Sequence, residues 1–454
     1  MLERKRGRRQ CELTWWIVLL SCCGLVLVGC AGGSTDNTRL DSPEADFDGA
    51  GVNEADEAVA ELPEEDVPEA VLSHGGQIIG RDGGWRPVKW SVSGNHVAII
   101  TRNPRLPAAP GRVYYYNAST QSLTWLATDA KANEVPWDGL HYKAGGIGVN
   151  DAYIVYCAEN GVQDSIRVRS LSTLNSYVDW SPPDLRSCSN VSQDARGDFF
   201  GVLWDWTEGS EQAGGTVWAD VARFNPRTGE MHVVHESIKT DAGSEPNPYY
   251  YDRGPATSEW DGAIAWLLGG HEDQDTTALY YENGHTYALL PAQSVAAGLQ
   301  LPAQLSLSQE KVVLFHYSGR PVHLEPAQLT AGLSVWEPHT GVLRKLGVGS
   351  APCLVGDEVV FSLQSGQRPG IWKLNISAPP GTPPTQLTAA GLTASGEALR
   401  HLWPRLGETG WVVYLETNRS QGGWDGMGSI TNLRIIQAPT PDTPILSPMK
   451  AVGP

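Results

Sequence analysis

The chain has 454 residues, 41% of them hydrophobic and only 19% charged, with a net charge of -18. That acidic balance argues against nucleic acid as a partner, because such affinity rests on neutralising phosphates with Lys and Arg. The length and apolar fraction suffice for a large core, and the abundance of Gly (50), Trp (17) and Tyr (15) suits many short strands joined by turns.

At the N-terminus Arg4, Lys5, Arg6, Arg8 and Arg9 precede an uncharged, mainly apolar run from Leu13 to Gly29, the layout of a secretory signal. The run ends in Leu27-Val28-Gly29-Cys30, which resembles the lipobox of bacterial lipoproteins. The resemblance implies a signal over residues 1–29, a diacylglyceryl group on the Cys30 thiol, and Cys30 as the new N-terminus. A signal anchor is the competing reading, since the run could almost span a hydrocarbon core of about 30 Å. Lipidation would hold the protein to a membrane with no spanning helix. The residue after the cysteine is Ala31 and not Asp, which by the same resemblance points to the outer membrane of a Gram-negative cell.

Residues 30–71 change character, with thirteen Asp or Glu side chains, a single Arg and several Gly and Pro. Such a segment buries too little apolar surface to offset the entropy of ordering, so it is expected to be a disordered tether extended by self-repulsion. Capture of a basic partner or of calcium is the functional alternative for it.

From residue 72 to 437 a unit recurs: a short strand, a polar turn, a strongly apolar second strand, a variable loop and a closing hairpin. The second strands are HVAII at 96, AYIVY at 152, FFGVLW at 199, AIAWLL at 263, KVVLFHY at 311, EVVFSL at 358 and WVVYLE at 411. The turns before them recur about every 52 residues. Hairpins such as Asn225-Pro226-Arg227-Thr228-Gly229 and Glu337-Pro338-His339-Thr340-Gly341 close the units. Continuous apolar runs fit strands covered on both faces. The expected fold is therefore all-β: a seven-bladed β-propeller of four-stranded antiparallel blades, preceded by the tether and followed by a Pro-rich tail over residues 438–454. The seventh unit lacks a fourth strand after SITNLRII; GQIIG near residue 76 could supply it and close the ring, with Ile445-Leu446 as the competing candidate.

Segments such as PCLVGDEVVFSLQSGQRPGIWKLN, with QLT at 386–388, and PVKWSVSGNHVAII resemble the repeats of TolB-type propellers. The Asp-Gly turn of that family is Gly94-Asn95 in the first unit and Gln309-Glu310 in the fifth. The resemblance implies the propeller fold, and, more loosely, an envelope scaffold or recognition module.

Three cysteines lie in the body. Cys157, Cys188 and Cys353 are either small buried strand residues or, for Cys157 and Cys188, a bridge; neither a disulfide framework nor a CxxC spacing is present. No nucleophile elbow, P-loop, dinucleotide fingerprint, HExxH or EF-hand loop occurs. The Asp-box-like stretch from Ser192 to Phe199 has one residue too many and reads as a β-turn.

Loops after the second strands share one face of a propeller, and three carry unusual content. They hold Trp204-Asp205-Trp206, then His271, Asp273 and Asp275, then His316, Tyr317, Arg320 and His323. Imidazoles and carboxylates on one rim are the ingredients for a divalent metal or a general acid and base. The plainer reading is a solvated polar face with no cofactor. Trp137, Trp204, Trp206 and Trp424 are candidates for stacking on sugar rings or anchoring a protein. The expectation is thus a membrane-anchored, non-enzymatic module whose rim binds an envelope protein or polysaccharide. The alternative is a carbohydrate-active lyase or hydrolase using His271, Asp273, His316 and His323.

Overall fold

The computed structural model describes residues 75–80, 84–103, 105–106, 109–131, 146–159, 164–181, 187–192, 197–208, 216–239, 256–257, 262–268, 276–316, 332–363, 369–393, 395–418 and 431–438. The first strand in the chain is β1 (Gly76–Ile79). It is followed by an antiparallel meander of β2 (Arg86–Ser93), β3 (His96–Arg102), β4 (Gly111–Asn117) and β5 (Ser122–Ala130). A second meander of β6 (Ile147–Val149), β7 (Tyr153–Glu159), β8 (Asp164–Ser170) and β9 (Tyr177–Trp180) meets the first at the Ala130–Ala158 pair.

Separate four-stranded sheets come next. They are β10 (Ser187–Ser192), β11 (Phe200–Glu208), β12 (Thr216–Phe224) and β13 (Met231–Lys239), then β14 (Ala256–Thr257), β15 (Ile264–Leu268), β16 (Thr277–Glu282) and β17 (His285–Leu289). After a short helix, α1 (Pro291–Ala296), follow β18 (Pro302–Ser308), β19 (Lys311–His316), β20 (Gly332–Glu337) and β21 (Val342–Gly347). The next sheet is β22 (Ser350–Val355), β23 (Glu358–Leu363), β24 (Gly370–Asn375) and β25 (Thr385–Gln386). The last is β26 (Arg400–Leu406), β27 (Trp411–Thr417) and β28 (Thr431–Gln437), completed by β1, which pairs antiparallel with β28 so that Gly76 faces Ile435. All seven apolar runs read from the sequence are second strands, and GQII takes the fourth place in the final sheet. Among the described residues no helix is long and apolar enough to cross a membrane.

Side chains alternate across a strand, and that explains the unbroken apolar runs. In β3, Val97 and Ile99 enter a cluster shared with the last sheet, while Ala98 and Ile100 enter one shared with the second meander. In β7, Ile154, Tyr156 and Ala158 join that second cluster, whereas Val155 and Cys157 pack with Phe200, Val202 and Phe224 of the third group. The pattern continues group by group, each cluster drawing on two consecutive groups, and the series returns to its start through Val413 and Leu415 packing with Trp90 and Val97. Each fully buried Val, Ile or Leu contributes about 1.5–3 kcal/mol.

The opening strand of each group has ladder bonds on one side only, so N–H groups on its free edge need other acceptors. Small side chains of the preceding group supply them. Ser91 Oγ accepts from Val149 N–H at 3.3 Å, Ser306 Oγ from Leu354 N–H at 2.9 Å, and Ser308 Oγ from Gly356 N–H at 2.7 Å. Cys353, buried and outside any disulfide, plays the same part: its Sγ accepts from Leu406 N–H at 3.3 Å. The other two body cysteines are not merely packed. Cys157 of β7 and Cys188 of β10 form a disulfide, with Cα atoms 5.5 Å apart, inside the cluster between the second and third groups.

Candidate recognition surface

β5 and β9 are the outer strands of the first two groups, so part of each is open to solvent. In β5, Leu123 and Trp125 are 41% and 62% exposed, and Trp125 Nε1 donates to its own strand, to Ala127 O at 2.9 Å. In β9, Tyr177 and Val178 are 50% and 56% exposed. A bulge opposite Val113 and Tyr114 changes the phase of β5. Before it Trp125 faces Tyr114; beyond it Asp129 turns toward β7 and β8.

There Asp129 anchors an ionic network under Tyr177. Tyr156 donates its hydroxyl to Asp129 Oδ1 at 2.9 Å, and Arg169 Nε donates to the same hydroxyl at 3.1 Å. Arg167 pairs with Asp129 and holds Asp179 with two parallel bonds of 2.6 Å. Its guanidinium lies 3.9 Å from the Tyr177 ring centroid, and that of Arg169 lies 5.0 Å away. Burial is the largest influence on Arg167 and opposes its charge, but the bonds to Asp179 and the Asp129 charge outweigh it and raise its pKa. Burial, with the Asp129 charge second, raises the Tyr156 pKa as well. Arg167 is thereby held cationic and Tyr156 neutral. The arrangement is a platform, an aromatic ring seated on two hydrogen-bonded guanidiniums and suited to stacking and apolar contact.

The residues singled out in the sequence meet different fates. Cys30, Trp137, His271, Asp273, Asp275, Tyr317, Arg320, His323 and Trp424 lie outside the described residues. Trp204, Asp205 and Trp206 are not in a loop: β11 runs through them to Glu208, pairing Trp204 with Asp220 and Trp206 with Trp218. His316 does not stand on a rim. It is the last residue of β19, fully buried, with Nδ1 2.5 Å from Gln300 O and Nε2 2.7 Å from Ser334 Oγ. Burial pushes its pKa down to about 4; the Gln300 carbonyl opposes that shift and Lys345 adds to it. A neutral imidazole with both nitrogens engaged is a core residue.

A second buried histidine, His401, sits with Nδ1 2.7 Å from Thr388 Oγ1 and Nε2 3.6 Å from Glu416 Oε2. Glu416 also accepts from Arg434 Nε at 2.7 Å and Asn432 Nδ2 at 3.1 Å. Metal-ligating side chains converge elsewhere, at Glu282, Glu310 and His339. Trp125 and Tyr177 belong to no motif in the sequence. Both stand in mixed polar and apolar stretches in the last strands of the first two units, QSLTWL and NSYV.

No protein-family model matches the chain, and no curated protein matches it in sequence. Among solved structures, it is similar to an uncomplexed acylaminoacyl peptidase from Pyrococcus horikoshii, at 12% identity and a TM-score of 0.48, over 78% of this chain and 52% of that one. The chain thus spans about half the length of that peptidase. It is also similar to the β-propeller domain of the trilobed protease from Pyrococcus furiosus, described as having an open velcro topology, at 12% identity and a TM-score of 0.43, over 80% and 98% of the two chains. The N-terminal domain of Nup159 is a further neighbour, at 9% identity and a TM-score of 0.39, over 80% and 94%.

Proposed function

We propose that residues 72–437 form a seven-bladed β-propeller of four-stranded blades, TolB-like in its repeats. A lipid on Cys30 holds it to the cell envelope through the acidic stalk of residues 30–71, and it serves there as a recognition or scaffold module for an envelope protein or polysaccharide. The cyclic succession of apolar clusters and the pairing of β1 with β28 support the closed ring. The binding role rests on one observation, the exposure of Leu123, Trp125, Tyr177 and Val178 on the outer strands β5 and β9. Exposed aromatic anchors are typical of binding surfaces.

The test is a cross-linking pull-down from native envelopes, comparing the wild-type chain with a Trp125→Ala, Tyr177→Ala double variant that folds normally. Loss of a captured protein or glycan from the double variant supports the surface; an unchanged set of partners refutes it. Radioactive palmitate should label the wild type and not Cys30→Ser, and equal membrane retention of both would overturn the lipid anchor.

A further inference from the structure

We propose that Glu282, Glu310 and His339 form a binding site for a divalent transition-metal ion, of the kind zinc and manganese represent, bridging the fourth and fifth sheets. The three residues come from three different hairpins. Glu282 ends β16 just before the Asn283-Gly284 hairpin, Glu310 lies in the turn between β18 and β19, and His339 lies in the turn between β20 and β21. One ligand atom from each falls within 4.8 Å of the others. Bonds of about 2.0–2.2 Å to a central ion require a closure on the order of 1 Å. Glu310 and His339 are exposed and have room to make it.

The imidazole is already positioned. It stands edge-on between the rings of Tyr280 and Tyr287, with centroids 5.7 Å and 4.7 Å away, and its Nε2 lies 3.0 Å from Glu282 Oε2. Among the described residues no Lys or Arg pairs with Glu310; the adjacent Lys311 is bonded to Asp357. Two carboxylates and an imidazole make a mixed oxygen and nitrogen donor set of the kind that holds a dication.

An independent feature points to the same place. Tyr280 is fully buried, and its hydroxyl makes no hydrogen bond of ordinary geometry. The carboxylate it acts on is that of Glu282, with Glu310 also within electrostatic reach. A buried hydroxyl directed at a ligating carboxylate is the support that metal ligands commonly have in their outer shell. Imidazole suits zinc and similar ions, carboxylates suit manganese and zinc, and calcium prefers oxygen alone. Three protein ligands leave a coordination position toward solvent. None of the three residues is among the rim candidates read from the sequence.

The experiment is titration calorimetry and thermal melting of the chelator-treated full chain with Zn, Mn and Ca. The wild type should bind one Zn or Mn ion per chain, melt higher with it, and ignore Ca. Glu310→Gln and His339→Asn, both changes at exposed turns, should abolish the one-site isotherm, and Tyr280→Phe should weaken it about tenfold. Cobalt should give a visible absorption band that His339→Asn lacks. Wild-type protein without a one-site isotherm, or variants that bind as the wild type does, would overturn the proposal.

Discussion

The guanidinium of Arg434 reaches the carbonyl of Gly75 at 3.0 Å across 359 positions of sequence, while the same side chain holds Glu416 at 2.7 Å. One residue of β28 therefore receives β1 on one side and β27 on the other. Ile78 completes the junction by packing among Val413, Leu433 and Ile435. Ile78→Ala should lower stability by about 2–4 kcal/mol, as deletion of a buried isoleucine side chain does. Denaturant melts would check it, and a variant as stable as the wild type would show that β1 adds little to the last sheet.

The Cys157–Cys188 bridge joins consecutive groups across 31 residues. Its removal in a Cys157→Ser, Cys188→Ser variant should cost about 2–4 kcal/mol. Without reductant, thiol labelling of the body should be confined to Cys353 and appear only on unfolding, because that thiol is buried. Rapid labelling of two further body thiols in the native protein would contradict the bridge.

Acid should destabilise the protein over two pH ranges. His316 is depressed from 6.5 to about 4. Its contribution, about 3 kcal/mol, is complete above pH 6.5 and lost as the unfolded chain takes up the proton that the folded one refuses. For Glu416 burial favours the neutral acid, but His401, Arg434 and Asn432 outweigh it and lower the pKa from 4.5 to about 2. That contribution, again about 3 kcal/mol, is complete above pH 4.5 and fades as pH falls toward 2. Stability measured against pH should fall below pH 6.5 and more steeply below 4.5. His316→Leu should be less stable at pH 8, since it orphans Gln300 O and Ser334, and should lose the fall in the upper range.

Gly370 opens β24 at φ +156, where a Cβ would sit 1.9 Å from the carbonyl oxygen of Thr388. Gly370→Ala should cost at least about 1–3 kcal/mol through strain, visible as a lower melting temperature. Gly341→Ala, at positive φ with open space around it, should cost less.

The second strands were legible because both of their faces are covered, which leaves an unbroken apolar run such as VVLF in β19 or VVF in β23. The site was less so. Asp205 and Glu208 made the end of β11 read as a loop, yet its backbone stays paired with β12 through Glu208 opposite Thr216. His316 looked like a rim ligand because its partners, Gln300 and Ser334, lie 16 and 18 positions away and meet it only through the turns between strands. Cysteine spacing left the bridge open for the same reason. Glu282, Glu310 and His339 each sit in an ordinary hairpin, and their convergence depends on how two sheets pack.

The pairing of β1 with β28 has a mechanical side. β1 is four residues long and is the first described segment of the chain, so a pull transmitted from the N-terminal direction falls on it before any other described strand. Traction applied at Gly75 would load the clasp that ties β1 to β28, drawing the ends of the described chain against one another.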